Sequence, residues 1–289
     1  MWSVFVFAGF EGALLMSDII TRRGFIKTTA AAASLAVAGE SMANPEYARD
    51  MRKQQDLADL ANYDILLPRV KFASDRRVTD HWNSHPRADR NLLRRLSEVI
   101  RCKVKDVRFR GAGLGYAKDS DFNTIVTFDD TERICRFPML FMTSEGYYKF
   151  NGHQKQSMKT YLERGGFLIM DDCIHGRNAD YFYRSSMSLL TEIFGNDAVQ
   201  SVSRDHEVFH NVFDLGDTGL PWCNGQNHGA KGLFLDNRLA AFLSSTDIHC
   251  GWTDDTGQFY GRNGRGPGHS GHDKAIEMGV NLLMYAMSH

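Results

Sequence analysis

No CxxC pair occurs in this 289-residue chain, so neither a zinc ribbon nor a thioredoxin-type redox pair is written in it. No Walker A sequence is present, and Gly111-Ala112-Gly113-Leu114-Gly115 supplies only half of a dinucleotide fingerprint, with no helix opening after it. Charge of one sign is lacking as well. The 34 Lys and Arg against 35 Asp and Glu leave a net charge of −1, and no basic run suits nucleic acid or an anionic membrane. From Asn44 onward no apolar run is long enough to span a bilayer, which needs about 20 residues, so any membrane attachment is expected only through an uncleaved leader.

A leader is the most distinct thing the chain does have. Thr21-Arg22-Arg23-Gly24-Phe25-Ile26-Lys27 reads as a twin-arginine export signal. An Ala-rich apolar stretch from Thr28 to Gly39 follows, about 12 residues and too short to cross a membrane. Ser41-Met42-Ala43 then offers small residues at the two positions a signal peptidase reads, which predicts cleavage after Ala43. Met16 would begin a signal of ordinary length. The expected organisation is a signal peptide over residues 1–43, a polar helical segment over 44–63 and an α/β domain over 64–289. The expected address is the bacterial periplasm or beyond, and the expected partner is the twin-arginine export machinery.

Beyond the leader, strands and helices alternate. Ile65 to Phe72 reads as a first strand, with Pro68 marking an edge or a bulge. Arg87 to Arg101 is an amphipathic helix: Leu92, Leu93, Leu96, Val99 and Ile100 share a face, and its arginines form a solvated one. Val107–Arg110 and Thr124–Phe128 are short strands. Phe137 to Thr143 and Phe167 to Met170 are apolar throughout, as in strands buried on both sides of a parallel sheet. Between them a helix from Asn151 to Arg164 stops at Gly165-Gly166. Another helix is expected over Asn178–Phe194. Gly232–Leu235 and Leu239–Leu243 flank an Asp236-Asn237 turn, Asp254–Gly271 is a glycine-rich loop and Asp273–Met287 a closing helix. The pattern predicts an α/β fold with a mostly parallel sheet, without repeats or an interdomain linker.

In such sheets ligands bind at the carboxyl ends of the strands. Three segments should meet there: Glu145 after one core strand, Asp171-Asp172-Cys173 after the next, and Asp247-Ile248-His249-Cys250-Gly251-Trp252 after a third. Asp172 and Glu145 are the candidate catalytic carboxylates, able to serve as general base or metal ligand. Asp247, His206, His249, Cys173, Cys250 and Trp252 are the candidate binding residues. Capping of the following helix competes for Asp171 and Asp172. Cys173 stands where a nucleophile elbow would, but lacks the flanking glycines, and pairing with Cys250 or a plain buried thiol are the other readings. Five cysteines allow at most two bridges. His206-Glu207-Val208-Phe209-His210 spells HExxH, in which two His on one helical face grip zinc. Asp214-Leu215-Gly216-Asp217 ends any helix there after about two turns, and the extended metzincin pattern fails. No cofactor is expected, with zinc or another divalent metal through His206 and His210 as the alternative.

The segments Phe137–Thr143, Phe167–Asp172, Asp205–His210, Leu233–Leu239, Asp247–Trp252 and Gly279–Ala286, taken in order, resemble the DUF4159 family. The resemblance covers about Asp64 to Met287. It implies a single-domain flavodoxin-like sheet with helices on both faces, similar to class I glutamine amidotransferases, and no settled activity. Glu207 stands where Pro is usual, and Ser144-Glu145-Gly146 where Gly-His-Gly is frequent. No glutaminase triad of Cys, His and Glu is recognisable. The functional expectation is an accessory or ligand-binding domain with its site at the strand ends. A hydrolase using Asp172 and Glu145 at the same edge is the first alternative, and a zinc peptidase the second.

Overall fold

The computed structural model describes residues 45–74, 82–106, 122–173, 180–253 and 268–289, without the side chains of 268–272. Residues Asp50–Met287, with His289, form a compact unit that carries the sheet. Among the described residues no helix is long and apolar enough to cross a membrane.

Seven strands form one sheet: β1 (Pro68–Val70), β2 (Thr124–Val126), β3 (Met139–Ser144), β4 (Phe167–Asp172), β5 (Val199–Ser201), β6 (Lys231–Leu235) and β7 (Arg238–Ser244). Their order is β2-β1-β3-β4-β7-β6-β5. Four neighbouring pairs, β1–β2, β1–β3, β3–β4 and β4–β7, are parallel, while β6 pairs antiparallel with both β7 and β5. The helices are α1 (Pro45–Asn62), α2 (Pro86–Ile100), α3 (Thr131–Ile134), α4 (Gly152–Glu163), α5 (Tyr181–Phe194), α6 (Ile248–Gly251) and α7 (Gly268–Ser288).

Alternation along the apolar strands feeds two cores. Met139, Phe141, Phe167 and Ile169 cluster with Leu92 and Leu96 of α2 and with Leu282 and Leu283 of α7. Leu140, Met142, Leu168 and Met170 point the other way, to Met158 and Leu162 of α4 and to Phe182 and Leu190 of α5. Helices therefore cover both faces of the sheet. The α4 start is fixed by a capping box, in which Asn151 accepts from the Gln154 N–H and the Gln154 side chain accepts from the Asn151 N–H. Its end passes into Gly165 at φ 96°, a backbone conformation that costs glycine little. The β6–β7 turn places both Asp236 (φ 48°) and Asn237 (φ 64°) left-handed, as a tight hairpin requires.

Pro68 is not at an edge: β1 lies between β2 and β3. The proline is tolerated because it is the first residue of the strand, where its missing N–H costs no interior ladder bond. Two short elements, α3 and the three-residue edge strand β5, carry no periodic signal. The polar helix α1 is held by ion pairs rather than an apolar stripe: Asp56 is buried and takes Nε and Nη2 of Arg133 at 2.8 and 2.9 Å. The expected strand Val107–Arg110, the Gly111–Gly115 run and residues 254–267 of the glycine-rich loop lie outside the described residues.

Candidate functional site at the carboxyl edge of the sheet

Strands β3, β4 and β7 end level with one another, with Ser144 opposite Asp172 and Asp171 opposite Ser244. The strand order reverses direction at β1, and in open α/β sheets ligands bind outside the carboxyl ends of the strands at such a switch point, here β1 and β3. Successive residues of β4 face opposite sides, so adjacent carboxyls receive different tasks. Asp171 accepts the His249 N–H at 2.8 Å and the Ile248 N–H at 3.3 Å, holding the short helix α6 against the sheet. Burial pushes Asp171 up to about 7, and those amides with the Ser244 hydroxyl restrain the rise. Asp172 accepts the Tyr183 N–H in the first turn of α5 at 2.7 Å. Its other oxygen, Oδ1, is buried with no hydrogen-bond partner among the described residues. Burial, and then the negative charges of Asp171, Asp180 and Glu145, lift Asp172 well above the ordinary carboxyl range. Burial and the neighbouring negative charges both favour the neutral form of this carboxyl at the strand end.

Glu145 follows β3, is buried, and lies within the electrostatic reach of Asp172. Asp180 stands at the N-cap position of α5, with Oδ2 3.0 Å from Nε2 of His228 and Oδ1 2.7 Å from Nε of Arg184. The His228 ring stacks on Tyr183, with centroids 4.7 Å apart. Thus Glu145 and Asp172 come together, joined by Asp180 and His228, whose positions in the sequence give no hint of it.

Toward the other face lies a buried network built on a charge in the middle of an apolar strand. Arg69 of β1 is wholly buried, donating from Nε and Nη2 to Asp89 at 3.2 and 2.6 Å and from Nη1 to the Trp82 carbonyl at 2.9 Å. Its guanidinium carbon lies over two rings, 5.0 Å from the Phe122 ring centre and 4.7 Å from that of Phe141. Nε2 of His249 stands 3.0 Å from Nη2 of Arg69 and 3.2 Å from Oδ1 of Asp89. Burial alone would raise Asp89, but the Arg69 charge and the His249 contact outweigh it and keep the carboxylate ionised. Burial and the Arg69 charge drive His249 down to about 3, so its imidazole is neutral. Its Nδ1, like the Thr143 hydroxyl one strand away, is buried without a hydrogen-bond partner among the described residues.

Asp247 begins α6 in the left-handed conformation, φ 58°, and is buried. Trp252 closes α6, donating from Nε1 to the Ala275 carbonyl at 2.8 Å and packing on Phe141. Cys173 and Cys250 are buried with sulfurs 3.5 Å apart, well beyond the bond length of a disulfide. Burial and the nearby charges of Asp247, Asp171 and Cys250 raise the third buried thiol, Cys223, well above the ordinary range.

This chain belongs to the DUF4159 family. The match, to a domain of unknown function, spans residues 67–287 and so takes in the whole sheet. Comparison with curated proteins gives no match.

Within the DUF4159 domain His206 stands apart from the carboxyl edge. It packs against Phe234 and Tyr285, and the Tyr285 hydroxyl accepts the Leu239 N–H of β7. Glu207–Phe209 is a single 3-10 turn rather than the α-helix the HExxH spacing needs. His206 Nδ1 accepts the Val208 N–H, while His210 sits between Asp214 at 2.9 Å and the Arg204 carbonyl at 2.7 Å. A 3-10 turn does not set two imidazoles at i and i+4 on one face, so the zinc-peptidase geometry is not formed.

Proposed function

We propose that this DUF4159 domain is an exported polar-ligand-binding protein whose ligand sits at the carboxyl ends of the strands, beside Glu145, Asp172 and Asp247. The observation that carries the reading is the Asp172 carboxyl: one oxygen is spent on the Tyr183 amide, and the other is buried without a partner among the described residues. A buried polar atom left unmatched costs about 1–3 kcal/mol, and such atoms mark sites that a ligand or water completes. The protonated carboxyl is a donor, and Glu145 and Asp180 beside it are acceptors, a set that recognises a neutral or cationic polar group. We further propose a flavodoxin-like, glutamine amidotransferase-like classification. The parallel order β2-β1-β3-β4-β7, with helices on both faces, supports it.

The test is a thermal-shift screen of residues 44–289 against polar amides, amines and sugars. A compound that raises Tm in the wild type and not in a folded Asp172→Leu variant supports the site. Equal shifts in both would sink it. The same raised carboxyl suits general acid–base hydrolysis, so each binding compound is followed for breakdown. Turnover lost in Asp172→Asn would replace the binding reading with a hydrolase.

The export half of the proposal rests on Arg22-Arg23 and the apolar stretch after them. It makes the twin-arginine machinery the partner and the periplasm the address. Changing both arginines to Lys should leave the chain in the cytoplasm. Undiminished export of that variant would refute the signal.

A further inference from the structure

We infer that His85, Cys173 and Cys250 form a metal site for a divalent ion of the zinc class. The inference uses none of the carboxylates of the proposed ligand site and stands or falls separately from it. The ligand atoms of these three residues lie within 4.8 Å of one another, the one such group of three among the described residues.

Three separate elements deliver them. Cys173 leaves the end of β4, and Cys250 lies in α6 just past β7. Because β4 and β7 are paired in register, their continuations are brought side by side. His85 arrives from the far side of β3, in the connection between β1 and α2, left-handed at φ 47°. At the N-cap of α2 a side chain ordinarily accepts an N–H from the first turn. The His85 ring makes no such cap bond, and one of its nitrogens lies within 4.8 Å of both sulfurs.

The spacing fits the ion. Two thiolates bound at about 2.3 Å on a tetrahedral centre stand roughly 3.7 Å apart. The Cys173 and Cys250 sulfurs stand 3.5 Å apart. Two thiolates and an imidazole are a soft-to-borderline donor set, suited to Zn2+ and poorly suited to Mg2+ or Ca2+. Charge decides between ions of that softness. Both sulfurs are buried, so a site of zero net charge is the least costly to hold there. Two thiolates cancel one divalent cation, and a monovalent Cu+ would leave a buried negative charge. Binding releases two thiol protons to solvent and changes no oxidation state. Three protein ligands on a tetrahedral ion leave one position open to water or a small ligand.

The experiment uses reduced, metal-free residues 44–289 titrated with Co2+ as a spectroscopic substitute, then with Zn2+ against a chromophoric chelator. The expected result is one Co2+ per chain, with thiolate-to-cobalt charge-transfer absorption and tetrahedral ligand-field bands displaced by Zn2+. Cys173→Ser and Cys250→Ser should abolish the charge-transfer bands. His85→Ala should weaken uptake by at least about tenfold, since even outer-shell partners are worth that much. Cys102→Ser and Cys135→Ser, with both thiols outside the group, should change nothing. Near-UV circular dichroism confirms that each variant is folded, and Cys173→Ala serves if the serine variant is not. Absence of thiolate–cobalt bands in the folded, reduced wild type would overturn the site. So would uptake indifferent to Cys173 and His85. Tight Cu+ binding without Co2+ or Zn2+ uptake would overturn the divalent assignment.

Discussion

Asp89 and His249 meet inside the protein across 160 positions of sequence, carboxylate Oδ1 to imidazole Nε2 at 3.2 Å. Arg69 reaches both, and all three side chains are buried. Two charges out of water are tolerated here because the guanidinium is matched on all three of its nitrogens and lies over two aromatic rings. Removing one partner leaves the other uncompensated. Arg69→Met should therefore cost about 3–5 kcal/mol in urea denaturation. Arg69→Met with Asp89→Leu should recover much of that loss. A single-variant cost below about 1 kcal/mol, the level of an exposed pair, would contradict this account.

His249 also gives the fold an acid-side weakness. Its imidazole stays neutral in the folded chain until about pH 3, whereas in the unfolded chain it gains its proton near 6.5. Stability from this residue is whole above pH 6.5 and is lost as pH falls from 6.5 toward 3, because the unfolded chain then binds the extra proton. The slope it contributes is about 1.4 kcal/mol per pH unit. Denaturation of the wild type and of His249→Gln at pH 7, 6, 5 and 4 should show a shallower decline in the variant. Parallel profiles would show that His249 titrates normally.

Packing around α6 makes a third expectation. A Cβ on Gly251 would fall 2.5 Å from the Ala275 Cβ and 2.7 Å from the Cys223 sulfur. Neither is the end of a long side chain, so α6 or α7 must move. Gly251→Ala should cost about 1–3 kcal/mol, as overpacked cores do, and should perturb the near-UV signal of Trp252. Gly152→Ala, where nothing lies within 4 Å of the added Cβ, is the control and should be close to neutral. Equal behaviour of the two variants would refute the close approach.

The parts of the fold legible in the sequence are those fixed by local chemistry. The apolar runs that became β3 and β4, the Asn151 and Gly165 boundaries of α4, and the Asp236-Asn237 turn all announce themselves within a few residues. The interior place of β1 did not, because Pro68 carries the same local signal at a strand start as at an edge. The end of β4 was readable as a place where carboxylates gather, since a strand end can be located from its apolar run. Arg69, His85, Asp89, Asp180 and His228 were not readable as members of the same edge. Asp89 looks like any acid in a first helical turn, and only the burial of Arg69 beneath it gives it another meaning. Such networks are assembled by strand order, which short-range patterns do not encode.

Asp172 ties stability to the proposed ligand site in a way that can be measured. Its folded-state carboxyl holds its proton far above the ordinary value of 3.8, while the unfolded chain releases it near that value. The stability tied to that proton is present below the unfolded value and is lost as pH rises through the interval to the folded one, at up to about 1.4 kcal/mol per pH unit. Asparagine has the same shape, still accepts the Tyr183 N–H, and carries no proton to lose. Asp172→Asn should therefore be more stable than the wild type at pH 7 to 8, with the difference closing as pH falls toward 4. Thermal melts across that range provide the measurement. A variant less stable than the wild type at pH 8 would mean that the Asp172 carboxylate is ionised and held by a partner, which would remove the buried acid on which the proposed ligand site depends.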